Sequence, residues 1–385
     1  MPLNYLDLTS QVREMGMDAL AREDDVQRTR QRLSALLIER AVDLDALRSE
    51  VEAALAGNSG LRCAVPVSEP LNARVACQLP AATSTILAAD GSQINPSGHD
   101  SVFYGLVNVG IFCIQPGSGK APVEMTKSSL IYGENLFPAS GAMSEELIAL
   151  LRDVQERRAL AELASAIPAP VITLTDGPLE LYQEPRGEDE FKGEFKKYLA
   201  ALDNMALNNV ITAGYVSRPR ANLVVKLLTL PEDSAAAEPM PPGISDLALF
   251  ANLLQPGERS AIFRLQSRSA KEYADHKALH FFYLNAGSAV HPAFARVEIP
   301  RWVAENEGAV GLLHATLVEQ AAQSGDVPYP YPLIRAHEIA VVKMADRQQL
   351  TAMIERELIR LGIKLPNRSE KDVNKTHTGR TRIKR

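Results

Sequence analysis

The sequence predicts an α/β fold, a mixed sheet with helices flanking its faces, preceded by an N-terminal helical extension. Three observations carry that expectation. Short apolar runs of strand length recur from residue 84 onward and alternate with longer stretches of helical periodicity. Two of those runs, Ile86-Leu-Ala-Ala-Asp90-Gly-Ser92 and Val171-Ile-Thr-Leu-Thr-Asp176-Gly-Pro-Leu179, end in Asp-Gly, which is turn chemistry. The order is three strands, helix, strand, helix, strand, helix, which reads as a meander followed by βα units.

Taken in order, residues 5–56 are helical, because Leu36, Leu37, Ala41, Leu44, Leu47, Val51 and Leu55 recur at spacings of three or four with charges between them. Gly57-Asn-Ser-Gly60 ends this stretch, whose expected role is packing or self-association. Strands follow at 84–90, 101–115 and 123–132, the last two joined by Pro116-Gly-Ser-Gly-Lys120. A helix at 144–165, a strand at 170–176, a helix at 188–207 and a strand at 210–216 come next. The Ala- and Pro-rich stretch 232–243 reads as a loop, 262–265, 280–284 and 292–299 as strands, and 301–323 and 346–361 as helices. The expected organisation is a helical extension over 1–60, a catalytic domain over 80–345, a C-terminal helix over 346–364 and a basic, disordered tail over 365–385.

Composition narrows the class. A hydrophobic fraction of 46% and a charged fraction of 23% are those of an ordinary globular chain. Cys63, Cys77 and Cys113 lack CxxC spacing, which argues against a zinc site or disulfide framework and for a reducing cytoplasm. The N-terminus carries no signal-peptide pattern, and no apolar run approaches the ~18–20 residues a membrane span needs. The net charge of -6 hides an asymmetry: residues 366–385 hold seven basic and two acidic residues, so the rest of the chain sums to -11. Such a tail is either a solvated terminus or an arm that neutralises phosphates without reading bases.

Asp90 and Asp176 are the first candidates for chemistry. Two carboxylates at the ends of neighbouring core strands would converge, and hard divalent cations such as Mg²⁺ or Mn²⁺ take oxygen ligands. The bland reading of each is an Asx turn at a strand end. Gly117-Ser-Gly119-Lys120 imitates the end of a Walker loop, but Ile114 stands where Gly is required and Ala121 where Ser or Thr would hold Mg²⁺, so nucleotide binding there is rejected. Ser92 lacks the Gly-x-Ser-x-Gly surroundings of a nucleophile.

Five motifs in order resemble those of the NurA-type nucleases: Ala89-Asp90-Gly-Ser92, Arg152-x-x-x-Glu156, Leu174-Thr-Asp176-Gly-Pro-Leu179, Ala213-Gly-Tyr-Val-Ser-Arg-Pro219 and Pro328-Tyr-Pro-Tyr-Pro-Leu-Ile-Arg-Ala-His337. The resemblance runs from about Ser84 to Ala345. It implies an RNase H-like core and Mn²⁺-dependent 5′ to 3′ degradation of DNA, with single-strand endonuclease activity as a further option. It also implies a homodimer that works in DNA end processing and repair with a HerA-type hexameric ATPase.

Residue by residue, the resemblance makes Asp90, Glu156, Asp176 and His337 the metal ligands, for two ions of Mn²⁺ or Mg²⁺. Phosphodiester hydrolysis by two ions ~4 Å apart suits such a set. On residue type alone Glu156 competes with Glu145, Glu146 and Glu162, and His337 sits on an element that could be strand or helix. Tyr329, favoured over Tyr331, would orient substrate or water. Ser217, Arg218 and Arg220, at a strand-to-helix junction, suit a phosphate grip in which helix-start amides assist, or else plain helix capping by Ser217. Arg264, Arg268 and Lys271 form a second basic cluster for a DNA backbone. Tyr104, Phe103 and Tyr215 are candidates for base stacking. Two rival functions stay open: a catalytically quiet adaptor of the same fold that docks on the ATPase, and an RNA-directed nuclease.

Overall fold

The computed structural model describes residues 3–79, 81, 83–97, 102–137, 145–181, 189–230 and 243–364. The expected loop at 232–243 lies outside them but for its last residue, and the basic tail lies wholly outside. Along the chain come α1 (Tyr5–Glu39), α2 (Leu44–Gly57), β1 (Cys63–Pro66), β2 (Val75–Ala76), β3 (Thr85–Ile94), β4 (Gly105–Ile114) and β5 (Val123–Ile131). Next are α3 (Glu145–Ala164), β6 (Val171–Asp176), α4 (Asp189–Leu207), β7 (Ile211–Ser217), α5 (Leu223–Thr229) and α6 (Leu247–Leu253). The last are β8 (Glu258–Arg259), β9 (Phe263–Gln266), β10 (Leu279–Asn285), β11 (Phe294–Pro300), α7 (Arg301–Ala304), α8 (Glu307–Ala322), α9 (Tyr331–Ala340) and α10 (Met344–Arg360). They divide between two compact units: Met1–Ala82, Gly177–Glu180 and Thr212–Tyr331 in the first, and Thr83–Asp176, Leu181–Ile211 and Pro332–Arg385 in the second.

In the first unit, β1, β9, β10, β11 and β7 lie side by side, each pair antiparallel, and β8 joins β2 to β10. Antiparallel β10 is nonetheless buried along its whole length, so its run Leu279-His-Phe-Phe-Tyr-Leu-Asn285 is apolar on both faces rather than alternating. Phe250 stacks on Tyr283 at 4.6 Å and Phe263 on Phe281 at 5.6 Å. The helical N-terminal residues behave in two ways. Leu33 and Leu37 of α1 and Leu47 and Val51 of α2 are buried in this unit, whereas Leu6, Val12, Met15 and Leu20 stand exposed. The helix expected over 301–323 is broken in two at Asn306, whose side chain accepts from Ala309 N at 3.0 Å and starts α8 afresh.

The second unit is a mixed sheet in the order β6, β3, β4, β5, with β3 parallel to β6 and the other pairs antiparallel. A three-strand meander, a helix and a strand returning parallel to the first is the RNase H-like arrangement. α3 packs on β3, and α4 on α3. α10 closes a small core in which Leu350 and Ile354 meet Ile94, Tyr104 and Leu106. Gly117 and Gly119 have φ of 74° and 71° in the β4–β5 hairpin, with no helix following, so the Walker-like string is a hairpin loop. Among the described residues no helix is long and apolar enough to cross a membrane.

One local expectation is corrected. Asp90-Gly91 does not end its strand: β3 runs on to Ile94, and Asp90 is paired with Gly110 of β4 in mid-strand. Asp176-Gly177 does end its strand, with Gly177 at φ 91°. The first glycine serves close approach rather than turning.

Candidate active site

Three glycine-enabled or register-enabled contacts assemble the acidic residues of the second unit. A Cβ on Gly110 would stand 2.4 Å from Ala340 N and 2.6 Å from Ala336 O, so only glycine admits the backbone of α9 at this distance. Cross-strand partners share a face, and Asp90 is the partner of Gly110. The helix admitted by Gly110 therefore brings His337 onto Asp90, with Nδ1 and Oδ2 2.6 Å apart. His337 is otherwise open, its side chain 68% exposed. Ser92 Oγ and Asn108 Nδ2 both donate to Ala340 O, at 2.5 and 2.8 Å. These bonds satisfy a carbonyl left free at the end of α9 and fix that helix on the sheet. Ser92 is thus a positioning residue, and the undecided element around His337 is a helix.

The neighbouring position faces α3. A Cβ on Gly91 would fall 2.4 Å from Arg152 Cγ and 2.5 Å from Glu156 Oε1, so the space a side chain would fill holds the Glu156 carboxyl. Glu156 is only 7% exposed, and Arg152 Nε stands 3.5 Å from its Oε1. Burial raises its pKa well above the ordinary carboxylate range, and the charges of Asp153 and Asp90 raise it further, against Arg152 and Arg157. Asp153 is raised too, by burial first, while Arg152 bonds it at 2.9 Å. Arg157, fully buried, donates to Thr175 Oγ1 at 2.7 Å and lies 5.7 Å over the Tyr198 ring, which anchors α3 to β6 and α4.

Asp176 joins through register. Ala89 pairs with Thr175 in the parallel β3–β6 ladder, and Asp90 and Asp176 are the next residue on each strand. Neighbouring strands are about 4.8 Å apart. The second unit thus pairs His337 with Asp90, sets Glu156 against Gly91 and places Asp176 one residue past the last paired position beside Asp90. Sequence reasoning missed Asp153 and the anchoring Arg157. Asp153 follows Arg152 on a helix rich in charge and looks like solvent-facing surface; its only signal is the three-residue spacing to Glu156.

The first unit holds the remaining candidates. Tyr329 meets Tyr215 edge-on at 5.3 Å, and its carbonyl accepts from Ser324 Oγ at 2.7 Å. Ser217, Arg218 and Arg220 are exposed around the end of β7, with Arg218 at φ 46°. Ser217 caps no helix, because it ends β7 opposite Ala295, and α5 starts only at Leu223. The first amides of α5 are also spoken for: buried Asp246 accepts from Val224 N at 3.0 Å and Val225 N at 2.8 Å. Any phosphate grip there rests on the arginine side chains alone. Arg264, Arg268 and Lys271 are exposed on and after β9. Tyr104 and Tyr215 are buried, 1% and 2% exposed, and offer no stacking face; Phe103 is half-buried, with one face stacked on Phe137 at 5.5 Å.

The NurA domain family model matches residues 84–342, the greater part of the chain and every residue of the cluster just described. The chain belongs to the NurA family. No curated protein sequence matches it. Among solved structures, the NurA nuclease of Sulfolobus solfataricus is similar over 74% of this chain and 87% of its own, at 15% identity and a TM-score of 0.48. The endonuclease V of Ciona intestinalis in complex with a 24-mer DNA aligns over 70% of this chain and 87% of its own, at 14% identity and a TM-score of 0.34. The catalytic domain of human endonuclease V aligns over 82% and 98%, at 15% identity and a TM-score of 0.33. Membership in the NurA family makes this chain a nuclease-family protein, and its acidic cluster is the place to look for hydrolysis.

NurA-family nucleases are metal-dependent in general. Among the described residues, no three His, Cys, Asp or Glu side chains close on a single ion position. The donor chemistry nevertheless fits a hard divalent cation. Burial, then the charges of Asp153 and Asp90, make the Glu156 carboxyl harder to ionise, and its contact with Arg152 is long. A bound divalent cation would offset that charge.

Proposed function

We propose that this NurA-family chain is a divalent-metal-dependent deoxyribonuclease that digests DNA from the 5′ end, with Asp90, Glu156, Asp176 and His337 holding the metal. The observation that carries the reading is the under-neutralised carboxyl of Glu156, seated in the space vacated by Gly91 beside Asp90. Mn²⁺ is the preferred ion and Mg²⁺ the substitute, two to a site. When bound, the metal supplies charge neutralisation at the scissile phosphate and a more acidic water.

The chain's own groups do the rest. Asp90 and Asp176 provide oxygen donors from rigid strands, which hold a ligand set more precisely than loops do. His337 contributes a neutral nitrogen donor or holds a proton at the position it now shares with Asp90, and α9 fixes its reach through Ser92 and Asn108. Arg152 balances the acidic cluster when no metal is present. Tyr329 orients substrate, and the side chains of Ser217, Arg218, Arg220, Arg264 and Arg268 hold the DNA backbone. The exposed apolar residues of the first half of α1 support a homodimer, and the family resemblance supports a HerA-type hexameric ATPase as partner in DNA end processing and repair in the cytoplasm.

The test is degradation of end-labelled linear DNA by wild type and Asp90→Asn, with Mn²⁺ or EDTA. Metal-dependent release of label by wild type alone is the expected result. Digestion by neither protein, even with the ATPase present, would make the chain an adaptor. Equal digestion by both would move the active site elsewhere.

A further inference from the structure

A cleft in the first unit, with a volume of about 560 Å³, carries more positive charge than the chain around it. Its floor is a cross-strand row: Arg264 of β9 is paired with Val65 of β1 on one side and His280 of β10 on the other. Arg48 of α2 forms one wall, tied down by its bond from Nε to Pro66 O at 3.1 Å and by Nη2 to Val67 O. Arg301 of α7 forms another, paired with Glu305 at 2.6 Å. Lys271 projects from the short helical turn Ser269–Glu272. The lining holds four fixed cations against two carboxylates, Asp275 and Glu305, in a chain whose net charge is -6.

Two of those cations are uncommitted. Arg264 and Lys271 are exposed and make no hydrogen bond or ion pair among the described residues, whereas Arg48 and Arg301 are already held by partners. Burial first, and then the charges of Arg264 and Arg301, lower the pKa of His280 against the Ala278 carbonyl and Glu305. The non-polar part of the lining includes Ala270, Ala274 and Ala278 together with Val65, Leu265 and Leu279. A guanidinium and an ammonium facing one cavity suit a dianion. The volume lies within the ~300–1,000 Å³ of small-molecule sites and is far larger than inorganic phosphate needs.

We propose that this cleft is a phosphomonoester site that takes a terminal phosphate together with its attached nucleoside, with Arg264 and Lys271 as the phosphate-binding pair. This goes beyond a general contact of Arg264 with the DNA backbone and does not depend on cleavage. Two sources share the chemistry, the 5′-phosphorylated end of a strand and a free nucleotide.

Binding is measured on the full chain in EDTA, where hydrolysis plays no part. Thymidine 5′-monophosphate is expected to bind at least about tenfold more tightly than thymidine, and Arg264→Gln with Lys271→Gln to remove that preference. In wild type, the monophosphate should protect Lys271 from acetylation, read by mass spectrometry, while thymidine should not. A 5′-phosphorylated oligothymidylate that displaces the monophosphate where its 5′-hydroxyl form does not identifies a strand end as the occupant; displacement by neither identifies a free nucleotide. Equal binding of thymidine and its monophosphate, or no protection of Lys271, overturns the proposal. A failure of the metal-dependent cleavage assay leaves these outcomes untouched.

Discussion

Each unit buries carboxylates, and their surroundings differ. In the first, Asp246 accepts from Val224 N, Val225 N and Tyr283 Oη, the last at 2.5 Å. Glu180 pairs with Arg62 at 2.6 Å and accepts from Ser269, and Glu298 accepts from Leu179 N and pairs with Arg296 at 2.7 Å. In the second, Glu156 is comparably buried yet has Arg152 at 3.5 Å and two acidic neighbours. Burial is therefore not what separates scaffold from site here. A close partner is: Asp246, Glu180 and Glu298 each have a donor or cation at 2.6–2.8 Å, whereas the cation paired with Glu156 stands at 3.5 Å.

The sharpest way to break this comparison is to remove one charge from each unit. Glu298→Gln removes the carboxylate that pairs with buried Arg296 at 2.7 Å and should cost about 3–5 kcal/mol, read as a fall in the urea midpoint. Glu156→Gln removes a charge that has no good partner, and the same metal-free titration should show an unchanged or higher midpoint. A large loss for Glu156→Gln would make it a scaffold residue like the other.

A second contrast lies in the glycines. Gly110→Ala drives a methyl into the backbone of α9 and should cost about 1–3 kcal/mol, with activity lost as His337 shifts. Gly91→Ala meets first the side chains of Arg152 and Glu156, which can swing aside. It should abolish activity at a smaller cost in stability, as thermal melts of the two variants would reveal.

Titration sharpens the picture of the first unit. Burial, with a smaller effect from Arg259, holds His314 down to about 4, against 6.5 for a free histidine. Its contribution to stability is complete above pH 6.5 and is lost as pH falls toward 4, because the unfolded chain takes up the proton first. Asp246, raised by burial to about 6 from 3.8, acts in the opposite sense: it favours the folded state at low pH, and that gain is lost as pH rises through 6. The two slopes oppose one another between pH 4 and 6. His314→Gln removes one of them, so the variant should gain about 2 kcal/mol relative to wild type between pH 6.5 and 4.5. Denaturation midpoints at those two pH values check it. The smallest effect belongs to Ser92→Ala, which leaves Asn108 alone on the Ala340 carbonyl and should cost about 1 kcal/mol.

Much of this was legible in the sequence, for identifiable reasons. Strand-length β-branched runs marked β3, β6 and β7, and the helical periodicity of residues 5–56 marked the region of α1 and α2 without locating the break between them. Asp-Gly misled at Asp90 and informed at Asp176, since the dipeptide cannot tell a turn from a close helix approach. β1, β2 and β8 were invisible because strands of two to four residues depend on partners far along the chain. The Asn306 break in the last long helix needed recognition of a cap inside an apolar pattern. At the site, Asp90 and Asp176 could be picked out as carboxylates closing short apolar runs, of which only Asp176 ends its strand, whereas Asp153, Arg157 and the roles of Gly91 and Gly110 depend on packing that no local pattern records.

The most direct test of the central claim is Mn²⁺ binding by calorimetry, paired with digestion of end-labelled DNA, for wild type and Glu156→Gln. The account predicts that wild type binds the ion and cleaves, while the variant, folded and at least as stable, binds at least about tenfold more weakly and releases no label. Equal Mn²⁺ affinity and undiminished cleavage by Glu156→Gln would contradict it.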